Sequence, residues 1–298
     1  LTPSFDKYEE ENYNDSDKTT SNQMKKMINF GFSSFMKSCL ESDEIRPNNN
    51  QCIQNFGFQS TIFESLESLY LLNLSKSYKI AKKIVSKYFA NDQISFKNDY
   101  IVRSELFNRV VASLIGTYLL SKDQSFLLMS EQLVDLIILI DSKSFFPYPI
   151  INFKLQNGFE RSWENGTSLI DIFSGLPEIL SLYKITKKNK YLDYVKDIFD
   201  KLKKNSSNEK IQLFTFYDSQ NGLNKSADFI NSQNSIYFKE IHENLLRSYY
   251  LLDLQEIFEI IHDFTVSTRM KNDDVFFDSY YFSNYFNNSN INDNVNNN

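Results

Sequence analysis

The sequence predicts an all-α protein built of antiparallel helix hairpins. Only 7 glycines and 5 prolines occur among 298 residues, so residues that interrupt helices are scarce. Apolar residues recur at helical spacing over long stretches, and short polar links separate these stretches. Such short links fold neighbouring helices into antiparallel pairs. Repeated hairpins of roughly forty residues fit either an open solenoid or a closed α/α toroid.

The helices can be placed in chain order from the periodicity of their apolar residues. They are predicted at Gln23–Leu40, Ser60–Asn73, Ser77–Phe89, Tyr100–Leu120, Gln124–Asp141, Leu169–Ile185, Lys190–Lys203, Ser235–Leu252 and Leu254–Phe264. The links 121–124 (SKDQ) and 186–190 (TKKNK) are short enough to close hairpins. A toroid gathers helix ends around one cavity, which suits carboxylates that lie near helix starts. The most apolar run, Leu133–Ile140, is much shorter than the ~20 residues of a transmembrane helix.

The two ends of the chain differ in composition from its middle. Residues 1–22 are polar and acidic, and we expect them to form a flexible leader. Residues 284–298 consist largely of asparagine and are expected to be a low-complexity tail. The predicted helical domain therefore covers residues 23–283. Because the chain begins at Leu1 without an apolar signal region, we expect a fragment or a processed product.

Charge and cysteine content narrow the possible functions only slightly. The formal net charge of −6 argues against a nucleic-acid partner. Cys39 and Cys52 are too far apart for a zinc-ligand pair and lack companion ligands. One disulfide and two free thiols are both compatible with the sequence.

One predicted helix carries two carboxylates among apolar residues. Ile62, Leu66 and Leu69 recur at helical spacing and should face a core. Glu64 and Glu67 lie one turn apart on a different face of the same helix. Because burying an unpaired carboxylate is costly, acids in such a setting usually have a task. The alternative is that the two residues belong to a solvated stripe.

Six sequence blocks, in order along the chain, match motifs of one enzyme family. Two blocks lie near the start of the matching region: Asp43–Pro47 matches D-E-L-x-P, and Thr61–Leu69 matches T-L-I-D-S-L-D-T-L. Two more follow: Ser104–Arg109 matches the F-E-x-T-I-R helix, and Pro147–Lys154 matches P-Y-P-x-V-N-L-K. The matches of Glu178–Leu180 to E-F-x-x-L and of Glu243–Arg247 to Y-E-Y-L-L-K are weaker. Together these blocks resemble the class I α-mannosidases, glycoside hydrolase family 47. The P-Y-P segment in particular is similar to that of the ER degradation-enhancing α-mannosidase-like (EDEM) branch.

The resemblance implies a fold, a reaction and a compartment. The fold of the family is an (α/α)7 barrel, of which this chain would form an incomplete part. The reaction is inverting hydrolysis of α-1,2-linked mannose, for which two carboxyl groups stand about 6.5–9.5 Å apart. A Ca²⁺ ion at the cavity floor would orient the sugar hydroxyls. The implied partners are high-mannose N-glycans on misfolded glycoproteins in the endoplasmic reticulum, in its lumen or associated with its membrane.

Glu105 aligns with the general-acid glutamate of the family and is the main catalytic candidate. Arg109, one turn later, could pair with Glu105 or contact the substrate. A general acid must hold its proton, whereas a neighbouring guanidinium favours the charged carboxylate, so the two expectations compete. The plain alternative is an ordinary surface pair between residues i and i+4.

The other acidic residues of the matching blocks are expected to bind substrate. Glu44, Glu64, Glu67 and Glu178 fall where the family has acids that line the cavity and contact sugar hydroxyls or support the calcium through water. Glu178 follows Pro177 at a helix start, where it could merely complement the helix dipole. Glu243 lies in the last matching block.

Two departures from the family pattern put activity in doubt. Lys239 stands where the family has a catalytic aspartate, which would reverse the local charge. Glu240 could substitute only if the helix start shifts by one residue. No match to the family's catalytic base or to its calcium-ligating threonine occurs between Val266 and Asn298. A catalytically inactive module that binds glycans or client proteins is therefore the second hypothesis, and a helical scaffold without a carbohydrate site is the third.

Overall fold

The computed structural model describes residues 15–90, 93–161, 166–204, 216–225 and 235–252. The helices are α1 (Asp15–Ser38), α2 (Ser60–Leu71), α3 (Ser75–Lys87), α4 (Arg103–Glu105), a π turn (Leu106–Val111), α5 (Ala112–Ser121), α6 (Gln124–Asp141), α7 (Leu169–Phe173), α8 (Leu176–Thr186), α9 (Asn189–Lys204) and α10 (Ser235–Leu252). Short strands are β1 (Glu44–Arg46), β2 (Gln51–Ile53), β3 (Ile101–Val102), β4 (Ile150–Asn152), β5 (Asn157–Phe159), β6 (Thr167–Ser168) and β7 (Phe216–Tyr217). Within these ranges every helix is too short or too polar to span a lipid bilayer.

Two predicted helices, α6 and α10, have the predicted bounds. By contrast, α1 begins at Asp15 rather than at the predicted Gln23. Residues 15–22 contain no glycine or proline, so an established helix can extend through them at low cost. The predicted helix Leu254–Phe264 lies outside the described residues.

Two other predicted helices are interrupted. The predicted start at Tyr100 is wrong because Ile101 and Val102 pair with β4 as a strand, and the helix begins only at Arg103. The predicted helix Leu169–Ile185 is divided into α7 and α8. Gly175 adopts a left-handed φ of 84° between them, a conformation that favours glycine.

The described residues up to 140, together with 150–159, form one compact unit, which we call unit 1. Its helix α2 packs against α3 and α5. Ile62, Leu66 and Leu69 are completely buried, which confirms the predicted core face of α2. Strands β1 and β2 form an antiparallel hairpin between α1 and α2, and β3, β4 and β5 form a small antiparallel sheet.

A disulfide joins Cys39, just after α1, to Cys52 in β2, with their Cα atoms 5.3 Å apart. The structure therefore decides between the two alternatives that the sequence left open. The bond fastens the β1–β2 hairpin to the end of α1. This matters because Asp43 and Glu44 lie inside the closed loop.

Residues 141–149, together with the described residues from 160 to 252, form a second compact unit, unit 2. Helix α8 packs against both α9 and α10, and α10 also packs against α7. The link between α8 and α9 turns at Lys187, whose φ of 59° is left-handed. The hairpin predicted from the TKKNK link is thus present. Helix α9 buries one apolar face, composed of Tyr191, Val195, Ile198, Phe199 and Leu202.

Candidate functional site

Asp43, immediately before β1, organises the loop that leads into α2. Its carboxylate is completely buried. Oδ2 accepts backbone N–H groups of Asn55, Phe56 and Gly57 at 2.9, 2.7 and 2.8 Å, and Oδ1 accepts that of Phe58 at 3.1 Å. Several N–H groups converging on one anion stabilise its charge without any cationic side chain. From the sequence, Asp43 could be identified only as part of a family motif. Its role could not be predicted, because its hydrogen-bond donors are main-chain groups twelve or more residues later.

Three predicted carboxylates from three elements reach the same guanidinium. Nε of Arg109 donates to Oε2 of Glu105 at 2.6 Å. Nη1 donates to Oε1 of Glu64 at 2.8 Å and lies 3.5 Å from Oε1 of Glu44. We call these four residues the Arg109 cluster. Strand β1, helix α2, helix α4 and the π turn each contribute one member, so the cluster requires the tertiary fold.

The π turn places Arg109 directly after the helix that carries Glu105. Single π turns within α-helices are uncommon and occur frequently at functional sites. The guanidinium carbon of Arg109 lies 4.9 Å from the centre of the Phe56 ring, in cation–π contact. Phe56 was not among the residues predicted to contribute to a site, because an aromatic residue in a loop has no distinctive sequence signal.

The cluster carries three carboxylates against one guanidinium. Burial raises the pKa of Glu64, and Arg109 opposes this by its charge and its hydrogen bond. For Arg109, burial alone would lower the pKa, but the hydrogen bond to Glu105 and the surrounding carboxylates outweigh it and raise the pKa. The side chains retain 27% (Arg109) to 42% (Glu64) of their accessible surface. Sugar hydroxyls could therefore reach these charged groups from solvent.

Glu67, one turn after Glu64, does not join the Arg109 cluster. Its carboxyl lies over Gly116 of α5 so closely that a Cβ on Gly116 would stand 2.1 Å from Oε1. Burial raises the pKa of Glu67, and no hydrogen bond or ion pair to it occurs within the described residues. The two acids of this helix, which the sequence presents as equivalent, thus have different surroundings.

The remaining predicted acids lie in unit 2. Glu178 is in the first turn of α8, where burial raises its pKa to about 7, although its own backbone N–H and the charge of Arg247 act in the opposite direction. Glu243 forms an ion pair with Arg247, one turn later on α10, and both side chains are exposed. Lys239 and Glu240 are also on α10, but their side chains lie outside the described part of the structure.

The residues of the Arg109 cluster do not fit a calcium ion. Ca²⁺ requires six to eight oxygen ligands, and in the cluster the centre between the carboxylates is taken by a guanidinium. Elsewhere in the described ranges, no group of three or more His, Cys, Asp or Glu side chains could hold a metal.

Comparison with known proteins gives a family and a fold. The sequence profile of glycosyl hydrolase family 47 matches residues 27–294. The endoplasmic reticulum mannosyl-oligosaccharide 1,2-alpha-mannosidase of Mus musculus is 24% identical over 193 residues, which are 63% of this chain and 28% of the mouse protein. The chain thus spans little more than a quarter of the length of that relative.

Solved structures of sugar-processing enzymes share the fold. The alpha-1,2-mannosidase from Trichoderma reesei superposes with a TM-score of 0.65 at 15% identity, over 84% of this chain and 54% of the mannosidase. The cellobiose 2-epimerase from Bacillus thermoamylovorans gives 0.56 at 12% identity, over 84% of this chain and 73% of the epimerase. The predicted class, a helical protein of the α/α barrel type, is therefore confirmed. Because an epimerase shares this fold, the fold alone does not select a reaction.

Proposed function

Because the chain belongs to glycosyl hydrolase family 47, we propose that it recognises and trims α-1,2-linked mannose on high-mannose N-glycans. Three family-matching glutamates meet at one arginine in unit 1, and this observation carries the proposal. Unpaired acids on a solvated face would have no reason to converge in this way. Carboxylates and a guanidinium held in place supply acceptors and donors for a ring of sugar hydroxyls.

Glu105 is the proposed general acid. Its Oε2 is occupied as the acceptor of the hydrogen bond from Arg109. Oε1 has no such partner within the described residues and is therefore the oxygen from which a proton could reach the leaving glycosidic oxygen. Protonation of that oxygen is the step for which glycosidases keep one carboxyl group in its acid form.

Glu44, Glu64 and Arg109 are proposed to bind the mannose hydroxyls. Glu67, Glu178 and Glu243 are proposed as further substrate-binding residues, and Glu240 as a candidate for the second catalytic carboxyl. Binding of a sugar hydroxyl to Glu64 or Glu44 would compete with Arg109 for the same oxygens. Such competition would release Arg109 from Glu64 or Glu44, so that its Nη1 becomes available to the sugar.

The setting of this reaction follows from the relatives. Their names place them in the endoplasmic reticulum, and we propose the same compartment here, with misfolded glycoproteins as the clients, as in the EDEM branch. The family resemblance also implies Ca²⁺. Since the described residues do not fit this ion, no step above passes through it.

The test is a trimming assay on a high-mannose glycan with nine mannose residues, read by mass spectrometry. Glu105→Gln should lower the rate of mannose release by roughly 100-fold or more, the usual contribution of a general acid. Glu41→Gln is the matched control, because it removes one exposed carboxylate near the same hairpin and should leave the rate unchanged. Equal rates for wild type and Glu105→Gln would remove Glu105 from the mechanism.

One observation favours a second candidate function, a glycan-binding module without catalysis. Lys239 occupies the position of the family's catalytic aspartate on α10. If this reading holds, calorimetry will show binding of the same glycan, reduced by Glu64→Gln, while no free mannose appears over long incubation.

A further inference from the structure

We propose that Phe56 is a positioning residue, whose ring fixes the Arg109 guanidinium so that it can serve Glu64 and Glu105 at once. The geometric part of this inference stands on the contacts of unit 1. Its consequence for glycan trimming rests on the proposed function. Phe56 itself contacts neither a reacting group nor, in the proposal, the sugar.

The backbone around Phe56 is held from one side by Asp43. Three successive N–H groups, from Asn55, Phe56 and Gly57, donate to a single carboxylate oxygen within 2.7 to 2.9 Å. Hydrogen bonds to an ionised acceptor are stronger than neutral ones. Because the carboxylate is completely buried, water does not compete for these donors. The loop 55–58 is therefore fixed before the side chain of Phe56 makes any contact.

The same loop is held from the other side by Gly57 and Phe58. Gly57 has a left-handed φ of 81°, and a Cβ there would lie 2.7 Å from the backbone N of Asn98. Its carbonyl accepts the N–H of Lys97 at 2.8 Å. Phe58 is completely buried, and its ring packs against those of Phe63 and Phe96. The loop thus has an anchor on each side of Phe56.

Phe56 connects this fixed loop to Arg109 through two ring contacts. Its ring stacks on that of Phe58, with centroids 5.5 Å apart and planes inclined by 19°. The guanidinium carbon of Arg109 lies 4.9 Å from the centre of the Phe56 ring. A guanidinium held over an aromatic ring has fewer directions open to its N–H groups than a free one. Here these groups point to the carboxylates, where Nε meets Glu105 and Nη1 meets Glu64.

The ring therefore lets the single guanidinium of Arg109 bind Glu64 and Glu105 together. Without the ring, the long side chain of Arg109 could settle on one carboxylate and release the other, since both compete for one cation. The electrostatic signature of the intact arrangement is that Arg109 opposes the effect of burial on the pKa of Glu64. Loss of positioning should therefore appear first at Glu64.

The test is a titration of Glu64 followed by NMR in the full chain with ¹³C-labelled glutamate. Phe56→Leu should raise the pKa of Glu64 above its wild-type value, because part of the charge and hydrogen-bond effect of Arg109 is lost. Phe56→Tyr keeps the ring face and should restore the wild-type titration. Phe56→Met, which keeps the bulk but has no ring, should behave like Phe56→Leu.

The matched control is Phe159→Leu, which removes a ring packed against Tyr100 in the same unit and should not alter the titration of Glu64. An unchanged pKa of Glu64 in both Phe56→Leu and Phe56→Met would overturn the inference. The titration needs no enzymatic activity, so it decides the matter even if the chain proves unable to trim mannose. If trimming is observed, Phe56→Leu should lower kcat several-fold more than it changes KM.

Discussion

The Arg109 cluster in unit 1 and Glu178 in unit 2 present the same side chain in opposite surroundings. In the cluster, three partly exposed glutamates share a cation at hydrogen-bonding or ion-pair distance. Burial raises the pKa of Glu178 to about 7, and the charge of Arg247 is a smaller, opposing effect. At Glu64, Arg109 opposes the effect of burial on the pKa through both its charge and a hydrogen bond, whereas at Glu178 the opposing effects are smaller than burial and include no side-chain hydrogen bond.

This comparison bears on which residue acts as the acid. The family resemblance selects Glu105, whose Oε2 is engaged by Arg109. Burial raises the pKa of Glu178 to about 7, a range that suits a general acid. Substitutions in each region test this contrast.

The largest effect is expected at Asp43, the extreme case of a fully partnered carboxylate. Asp43→Ala should lower the free energy of unfolding by about 3 kcal/mol or more, because several buried N–H groups lose their acceptor at once. Urea unfolding followed by circular dichroism measures this. A loss below about 1 kcal/mol would show that these N–H groups find water and that the loop 55–58 does not depend on Asp43.

A smaller and pH-dependent effect is expected at Glu178, the isolated case. Between its ordinary value of 4.5 and about 7, Glu178 binds more protons in the folded than in the unfolded chain. Its contribution to stability is therefore complete below about pH 4.5 and is lost as the pH rises through 7. Glu178→Gln should be nearly neutral at pH 5 and should stabilise the protein by about 2 kcal/mol at pH 8.5.

Unfolding by urea at the two pH values measures this difference. A variant that is equally destabilised at both would mean that Glu178 is partnered when ionised, and the contrast with the Arg109 cluster would disappear.

The smallest effect is expected at Glu243, whose pairing with Arg247 is exposed. Exposed pairs between residues i and i+4 contribute about 0.3–0.5 kcal/mol, so Glu243→Gln should change the free energy of unfolding by no more than that. Calorimetric unfolding at low and high salt would check it. A loss above about 1 kcal/mol, abolished by salt, would indicate that the pair belongs to a larger charged network.

Much of the helical framework could be predicted because it depends on repeating patterns. The bounds of α6 and the burial of Ile62, Leu66 and Leu69 follow from apolar residues at helical spacing. The strands, by contrast, are only two or three residues long, and so short a segment has no detectable periodicity. The break at Gly175 depends on the left-handed backbone conformation of one residue. The apolar pattern continues on both sides of it and therefore does not reveal the break.

The candidate site was predictable only in part. The resemblance selected Glu44, Glu64, Glu105 and Arg109 individually, and the structure brings them together. It could not separate Glu67 from Glu64, because that difference arises from Gly116 on another helix. The contribution of Phe56 depends on a loop that backbone hydrogen bonds hold in place. Neither the residue type nor the adjacent residues in the sequence predict its contact with Arg109.

The claim that surroundings divide these glutamates is tested most directly by site-resolved ¹³C titration of Glu64 and Glu178 in the wild type and in Arg109→Met. We expect Glu178 to titrate near pH 7 in the wild type, and the pKa of Glu64 to rise when Arg109 is replaced. A Glu178 that titrates at its ordinary value, or a Glu64 that does not respond to the loss of Arg109, would contradict this account.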